Sequence, residues 1–157
     1  MNSIMVEEAQ QSPDIVRQRL CEDRDLIREV ANGIRLFRPE YAVSIARGSS
    51  DHAASFLAYV LSSRIGLLCT SLPPSLITLH HSRLNFGKCL AFAVSQSGAS
   101  PDLSEAMQKA RDGGAYTFGI INQAGSQLEQ TVHHTVQIGA GVERGIAATK
   151  TFISSLV

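Results

Sequence analysis

Two short stretches, ARGSSDHA at 46–53 and SQSGASPD at 95–102, place small hydroxyl residues and glycine directly after apolar runs. Ser49 and Ser50 surround the first turn, and Ser95, Ser97, Gly98 and Ser100 follow each other in the second. Serine hydroxyls donate hydrogen bonds without the bulk or charge of lysine. Glycine, here Gly48 and Gly98, permits close backbone approach and unusual dihedrals. If each stretch opens a helix, the first-turn N–H groups and the helix dipole favour an anion at the same place. A phosphate monoester, with about −1.5 to −2 charges and three acceptor oxygens, suits such a loop. At about 1.5–3 kcal/mol per hydrogen bond to a charged group, four or five donors hold a small phosphorylated metabolite without a metal.

A plainer reading competes with this one. Ser50 and Ser100 are the residue types that cap helices, and Gly48 and Gly98 are ordinary turn residues. One such loop alone favours the plain reading; two converging loops favour anion binding. A nucleoside triphosphate fits poorly, because the pattern GxxxxGK[ST] is missing and no lysine follows either loop. The dinucleotide pattern GxGxxG is missing as well. His80-His81 and His133-His134 are adjacent pairs that project to different sides, without carboxylate or thiol companions at ligand spacing, so no metal site is expected. Ser95 and Ser97 lack a GxSxG elbow. Asp51-His52 is expected to be a first-turn acid beside a helix-surface imidazole. A third stretch, GVERGIAATK at 141–150, repeats the small-residue texture and leads to Thr149, a candidate cap, and Lys150 in a first helical turn. For Lys150 a solvated surface position and a functional one stand equally open.

These loops need a scaffold that brings them together. Ser12-Pro13-Asp14 reads as a cap, a first-turn proline and a first-turn acid, opening a helix that runs through Val16, Leu20, Ile27, Val30 and Ile34 and ends near Gly33. Strands are expected at 41–46, 66–69, 89–94, 116–121 and 135–138, each short and apolar. Helical spacing links Ala53, Leu57, Val60 and Leu61, and again Leu103, Ala106, Met107 and Ala110 before Gly113-Gly114. Apolar strands separated by helices imply a parallel sheet covered on both faces. With right-handed crossovers the expected fold is a doubly wound α/β domain: a five-stranded parallel sheet in three αβα layers, flavodoxin-like, with an N-terminal helix. In the strand order 2-1-3-4-5 the first and third strands are neighbours at the topological switch point, where both serine loops land.

The chain has 157 residues, one domain's worth, with 14 Lys+Arg balanced by 14 Asp+Glu, which removes the electrostatic argument for nucleic acid or a membrane surface. No apolar stretch approaches the roughly 20 residues of a membrane helix. The N-terminus lacks a basic-then-apolar export pattern, and Cys21, Cys69 and Cys89 are expected to be reduced, buried thiols of a cytoplasmic protein. The chain stops on Phe152, Ile153, Leu156 and Val157 without a cap, which reads as a piece of a longer polypeptide.

The segments ARGSSDHA, SQSGASPD and ERGIAATKTF (143–152), in that order, resemble the signature segments of the sugar isomerase (SIS) domain family. Within it they are most similar to isomerising glucosamine-6-phosphate deaminases and to the isomerase part of glutamine–fructose-6-phosphate aminotransferases. The resemblance implies a lead-in helical segment over 1–36 and an SIS domain over 37–157, the first of a tandem pair. It gives Ser50, Ser95, Gln96, Ser97 and Ser100 to the sugar phosphate, Ser49 with the backbone near Ile146 and Ala147 to the sugar, and counts Gly48 among the substrate-binding residues. Glu143 and Lys150 occupy motif positions without an assigned chemical step. The aminotransferases commonly have Glu at the position of Ala99 and Thr at that of Ser100, so SGASPD is nearer the deaminase pattern. The implied ligand is a phosphorylated hexose or hexosamine, with no cofactor and a homodimeric full-length protein. The family's ring-opening and proton-shuttling residues lie in a second SIS domain, so no catalytic residue is assigned here, and this chain alone is expected to be inactive. SIS domains also serve as sugar-phosphate sensors in regulators. An enzyme piece and a sensing module are therefore the two functional classes to separate.

Overall fold

The computed structural model describes residues 3–145 and 147–157. Its elements run α1 (Ile4–Glu22), α2 (Arg24–Phe37), β1 (Tyr41–Ile45), α3 (Ser49–Ile65), β2 (Cys69–Ser71), α4 (Ser75–Thr78), β3 (Cys89–Ser95), α5 (Pro101–Asp112), β4 (Tyr116–Ile121), β5 (His134–Gln137) and α6 (Lys150–Ser154), with a 3-10 turn at Glu129–Thr131. The sheet order is β2-β1-β3-β4-β5 and every pairing is parallel. This is the expected three-layer doubly wound fold.

The central strands show why. In β3, Leu90, Phe92 and Val94 join the core on one face, whereas Cys89, Ala91 and Ala93 join the core on the other. Both sets are 0–1% exposed, so an unbroken apolar run is what a strand covered on both sides requires. Ala53, Ala54, Leu57 and Leu61 of α3 cover the first face, with Val30 of α2 and Phe152 of α6. Leu103, Ala106, Met107 and Ala110 of α5 cover the second. Phe92 and Phe118 stack with centroids 5.6 Å apart.

Several local expectations are corrected. Ser12 does not open the first helix: α1 starts at Ile4, capped by Ser3, and carries Ser12 and Pro13 in its interior. Proline there forfeits one helical hydrogen bond, and α1 nevertheless continues through it to Glu22. The single expected helix to Gly33 is two, broken at Asp23, which closes α1, opens α2 and binds Arg19 Nε at 2.8 Å. Gly33 lies inside α2, which ends at Phe37 with Arg38 left-handed (φ 53°). Its lack of a side chain answers to packing, since a Cβ would overlap the Tyr116 ring and hydroxyl. The second strand begins at Cys69 rather than Gly66, because Gly66 (φ 70°) terminates α3. Of the cysteines, Cys89 is buried and Cys69 half-buried, but Cys21 is exposed on α1. Burial pushes the Cys89 thiol up to about 11, against the opposing pull of its hydrogen bond with Tyr41.

Two measurements follow. Gly33→Ala lowers unfolding free energy by about 1–3 kcal/mol through overpacking against Tyr116, although Ala is worth about 1 kcal/mol more than Gly in an open helix; denaturant titration reads the sign. At pH 8 a thiol reagent modifies Cys21 quickly in the native protein, whereas Cys89 reacts only on unfolding, being shielded and almost wholly protonated well below about 11.

Candidate functional site

Strands β1 and β3 pair in parallel from Tyr41↔Cys89 to Ile45↔Ala93, so their carboxyl ends lie side by side. The chain leaves β1 into α3 on one face and β3 into α5 on the other. The crevice between those exits receives both serine loops, as the topology requires. A direct tie crosses it: Arg47, after β1, binds Asp102, in the first turn of α5, at 2.7 Å. The pair is too exposed to add much stability, but it joins the two loops.

The first loop turns at Gly48, whose φ of 58° and ψ of −138° suit glycine. Gly48, not Ser50, occupies the cap position of α3, with no side-chain cap hydrogen bond. Ser49 is exposed and Ser50 half-buried within the first turn of the helix. Asp51 donates its backbone N–H to Gly48 O at 3.1 Å, and its buried Oδ1 has no hydrogen-bond partner among the described residues. His52 is exposed beside it.

The second loop is built by its own serines. Ser95, 5% exposed, accepts the Gly98 N–H on its Oγ at 3.0 Å, and Ser97 Oγ accepts the Ala99 N–H at 3.3 Å. Gln96 and Ser97 face solvent. Gly98 has φ 60°, and a Cβ there would overlap Ser126. Ser100 stands at the cap position of α5 but makes no side-chain cap bond; its carbonyl accepts from Ser104. Neither Ser50 nor Ser100 therefore caps its helix through its hydroxyl. Both serines are half-buried where α3 and α5 begin, beside the carboxyl ends of β1 and β3, with the positive ends of two helix dipoles and no lysine from either loop.

The third stretch arrives after β5. Asn122, at the end of β4, anchors it by accepting the Ala140 N–H at 2.7 Å and donating to Gly141 O at 2.8 Å. Glu143 accepts the Thr149 N–H on Oε1, while its buried Oε2 has no partner among the described residues. Thr149 holds the cap position of α6 without a side-chain cap bond and donates its hydroxyl to Ala147 O. Lys150 is not a surface lysine: it is 7% exposed and donates to Gln11 Oε1 at 3.1 Å. Ala147 is exposed, and Ile146 lies outside the described residues. Phe152 and Leu156 pack on the α3 side of the sheet, whereas Ile153 and Val157 stay exposed.

The histidines lie elsewhere. His133 and His134 stand at the entry of β5, the opposite end of the sheet. His133 Nδ1 sits 2.7 Å from Thr117 Oγ1 and its ring stacks on Tyr116; burial first, then nearby Arg111, holds its pKa below the usual histidine range. His80 and His81 are exposed beyond α4. Among the described residues no group of three or more His, Cys, Asp or Glu could hold a metal ion. No described helix is long and apolar enough to cross a membrane. Glu8 and Gln11 escaped the sequence reading, because nothing in their spacing marks α1 as touching the third loop.

A family model described as the SIS domain matches residues 36–157. The chain belongs to the SIS domain family. An isomerizing glutamine–fructose-6-phosphate aminotransferase of Sulfurisphaera tokodaii is 32% identical over 155 residues, 97% of this chain but 25% of that protein. The crystal structure of a "putative phosphosugar isomerase" from Silicibacter pomeroyi DSS-3 superposes with a TM-score of 0.94 at 37% identity, covering 99% of this chain and 47% of that one. A tagatose-6-phosphate ketose/aldose isomerase from Escherichia coli shares the fold at TM-score 0.82 and 20% identity, over 99% of this chain and 46% of that one. This SIS domain thus spans about a quarter of the curated relative and about half of the two solved chains.

The packing at Gly98 yields a prediction. Gly98→Ala destabilises this SIS domain by about 1–3 kcal/mol, from the left-handed backbone and the collision with Ser126. Adding Ser126→Gly recovers part of the loss in thermal denaturation, and no recovery would mean that the contact is irrelevant.

Proposed function

We propose that this SIS domain binds a phosphorylated hexose or hexosamine in the crevice between the 46–51 and 95–102 loops. In a longer polypeptide it would be the first half of an enzyme that interconverts, aminates or deaminates hexose and hexosamine phosphates. Residues 1–36 are read as the lead-in segment and 37–157 as the SIS domain proper. The observation that carries this reading is the convergence of two glycine-turned serine loops at the switch point, with Ser50 and Ser100 left uncapping and Arg47 tied to Asp102 across the gap.

In this reading Ser50, Ser97 and Ser100, with the backbone of Gly48 and Gln96, hold the phosphate, and Ser95 holds the loop in shape. Ser49 and the backbone around Ala147 face the sugar. The helix N-termini supply positive potential without a mobile cation, a design that suits a dianion to be bound and released unchanged. Proton transfer between C1 and C2 after ring opening needs a general base within hydrogen-bond reach of the sugar. The group for that step is assigned to a second SIS domain, so this chain by itself binds without turning over. The aminotransferase relationship supports hexosamine chemistry, while Ala99 and Ser100 stand where the resemblance places Glu and Thr in the aminotransferases. The protein is read as a cytoplasmic homodimer in its full-length form.

The test is calorimetric titration with glucosamine 6-phosphate, with plain glucosamine as control. Saturation near one site per chain with the phosphorylated sugar alone is expected. Ser97→Ala and Ser50→Ala each weaken binding by about 1–3 kcal/mol, roughly five- to a hundredfold. Unchanged affinity in both variants would sink the cradle.

A further inference from the structure

Among its described residues the third loop has no strand or helix between β5 and α6, yet its backbone is held by side chains from other elements. Asn122 fixes residues 140 and 141 from the end of β4. The next fixed point comes from the far end of the sequence. Glu8, on α1, is 1% exposed, and its two oxygens take one backbone N–H each: Oε1 accepts from Arg144 at 2.6 Å and Oε2 from Gly145 at 3.1 Å. A Cβ on Gly145 would stand 2.8 Å from that Oε2, so glycine at 145 is what lets the carboxylate come so close. One turn further along α1, Gln11 accepts from buried Lys150, at the other end of the same loop. No lysine or arginine side chain pairs with Glu8 among the described residues.

A carboxylate buried without a cation is costly unless hydrogen bonds replace its water. Apolar residues would serve helix-on-helix packing as well, and often better. What an apolar residue cannot do is fix two consecutive backbone N–H groups of a neighbouring loop. We propose that Glu8 is a positioning residue of the ligand crevice: from α1 it sets the course of the backbone at 143–145 and 147–149, the stretch that faces the sugar rather than the phosphate. The inference rests on the sugar-phosphate reading and adds to it a role for the lead-in helix. The phosphate cradle at 95–100 shares no bond with Glu8, so the two functions separate.

The experiment uses the whole chain with Glu8→Ala and Glu8→Gln, two probes, inorganic phosphate and glucosamine 6-phosphate, and amide hydrogen exchange. Gln keeps one acceptor oxygen and turns an amide against the second N–H, so it serves if Ala does not fold. Glucosamine 6-phosphate binding weakens about tenfold to a hundredfold in Glu8→Ala and less in Glu8→Gln, while inorganic phosphate affinity stays within about twofold. Exchange accelerates over 143–149 and not over 95–100. Equal weakening of both probes, or exchange unchanged at 143–149, overturns the proposal. If the unaltered protein binds both probes and the Glu8 variants match it, Glu8 alone is refuted. If the unaltered protein binds neither, the sugar-phosphate reading falls, and the ligand role of Glu8 with it.

Discussion

The parallel pairing of β1 with β3 is the constraint on which the rest of the domain depends. Five consecutive register partners, Tyr41↔Cys89 to Ile45↔Ala93, fix the two strand ends beside each other. Each strand is buried on both faces, so a slip of one residue would send every side chain to the opposite core. Because α3 covers one face and α5 the other, the connections diverge from adjacent strand ends and leave a gap between them. That gap exists whatever residues line it. Serine and glycine make it suited to an anion.

Within the gap, shape and charge have separate sources. Shape comes from small-residue geometry: Gly48 and Gly98 with positive φ, Ser95 and Ser97 bonding the backbone of their own loop, and Ser126 filling the space beneath Gly98. Positive potential comes from two helix N-termini rather than from lysine. A loop stiffened this way needs little ordering on binding, which favours a small ligand with few contacts. Arg47 is the cation at the rim, and Asp102 already neutralises it, so it works as a strut between the loops.

The third loop shows a different solution. Among its described residues it has neither strand nor helix between Gln137 and Lys150, and backbone groups of Ala140, Gly141, Arg144, Gly145 and Thr149 bond to Asn122, Glu8 and Glu143. Side chains from the middle of the sheet, from the loop itself and from the first helix thereby replace the missing ladder. α1, which precedes the residues matched by the SIS family model, is tied to the third loop and α6 through Glu8 and Gln11.

The amino-acid sequence by itself determined the layer architecture and the identity of the serine loops, whereas the order 2-1-3-4-5 was the common one for that architecture and the tertiary structure has it. The layers and the loops follow from local signals: the apolar run of β3, the mostly apolar β4, helical spacing in α3 and α5, and Ser/Gly clusters where strand gives way to helix. Only the tertiary structure decided that Ser12 lies inside a helix, that Gly33 makes room for Tyr116, and that Lys150 is buried against Gln11. It also decided that Glu8 grips a loop 136 and 137 residues away. In each case the deciding partner is remote in the chain. Periodicity and capping preferences carry information over a few residues, whereas a proline tolerated in mid-helix or a charge taken out of water depends on neighbours that only folding brings near.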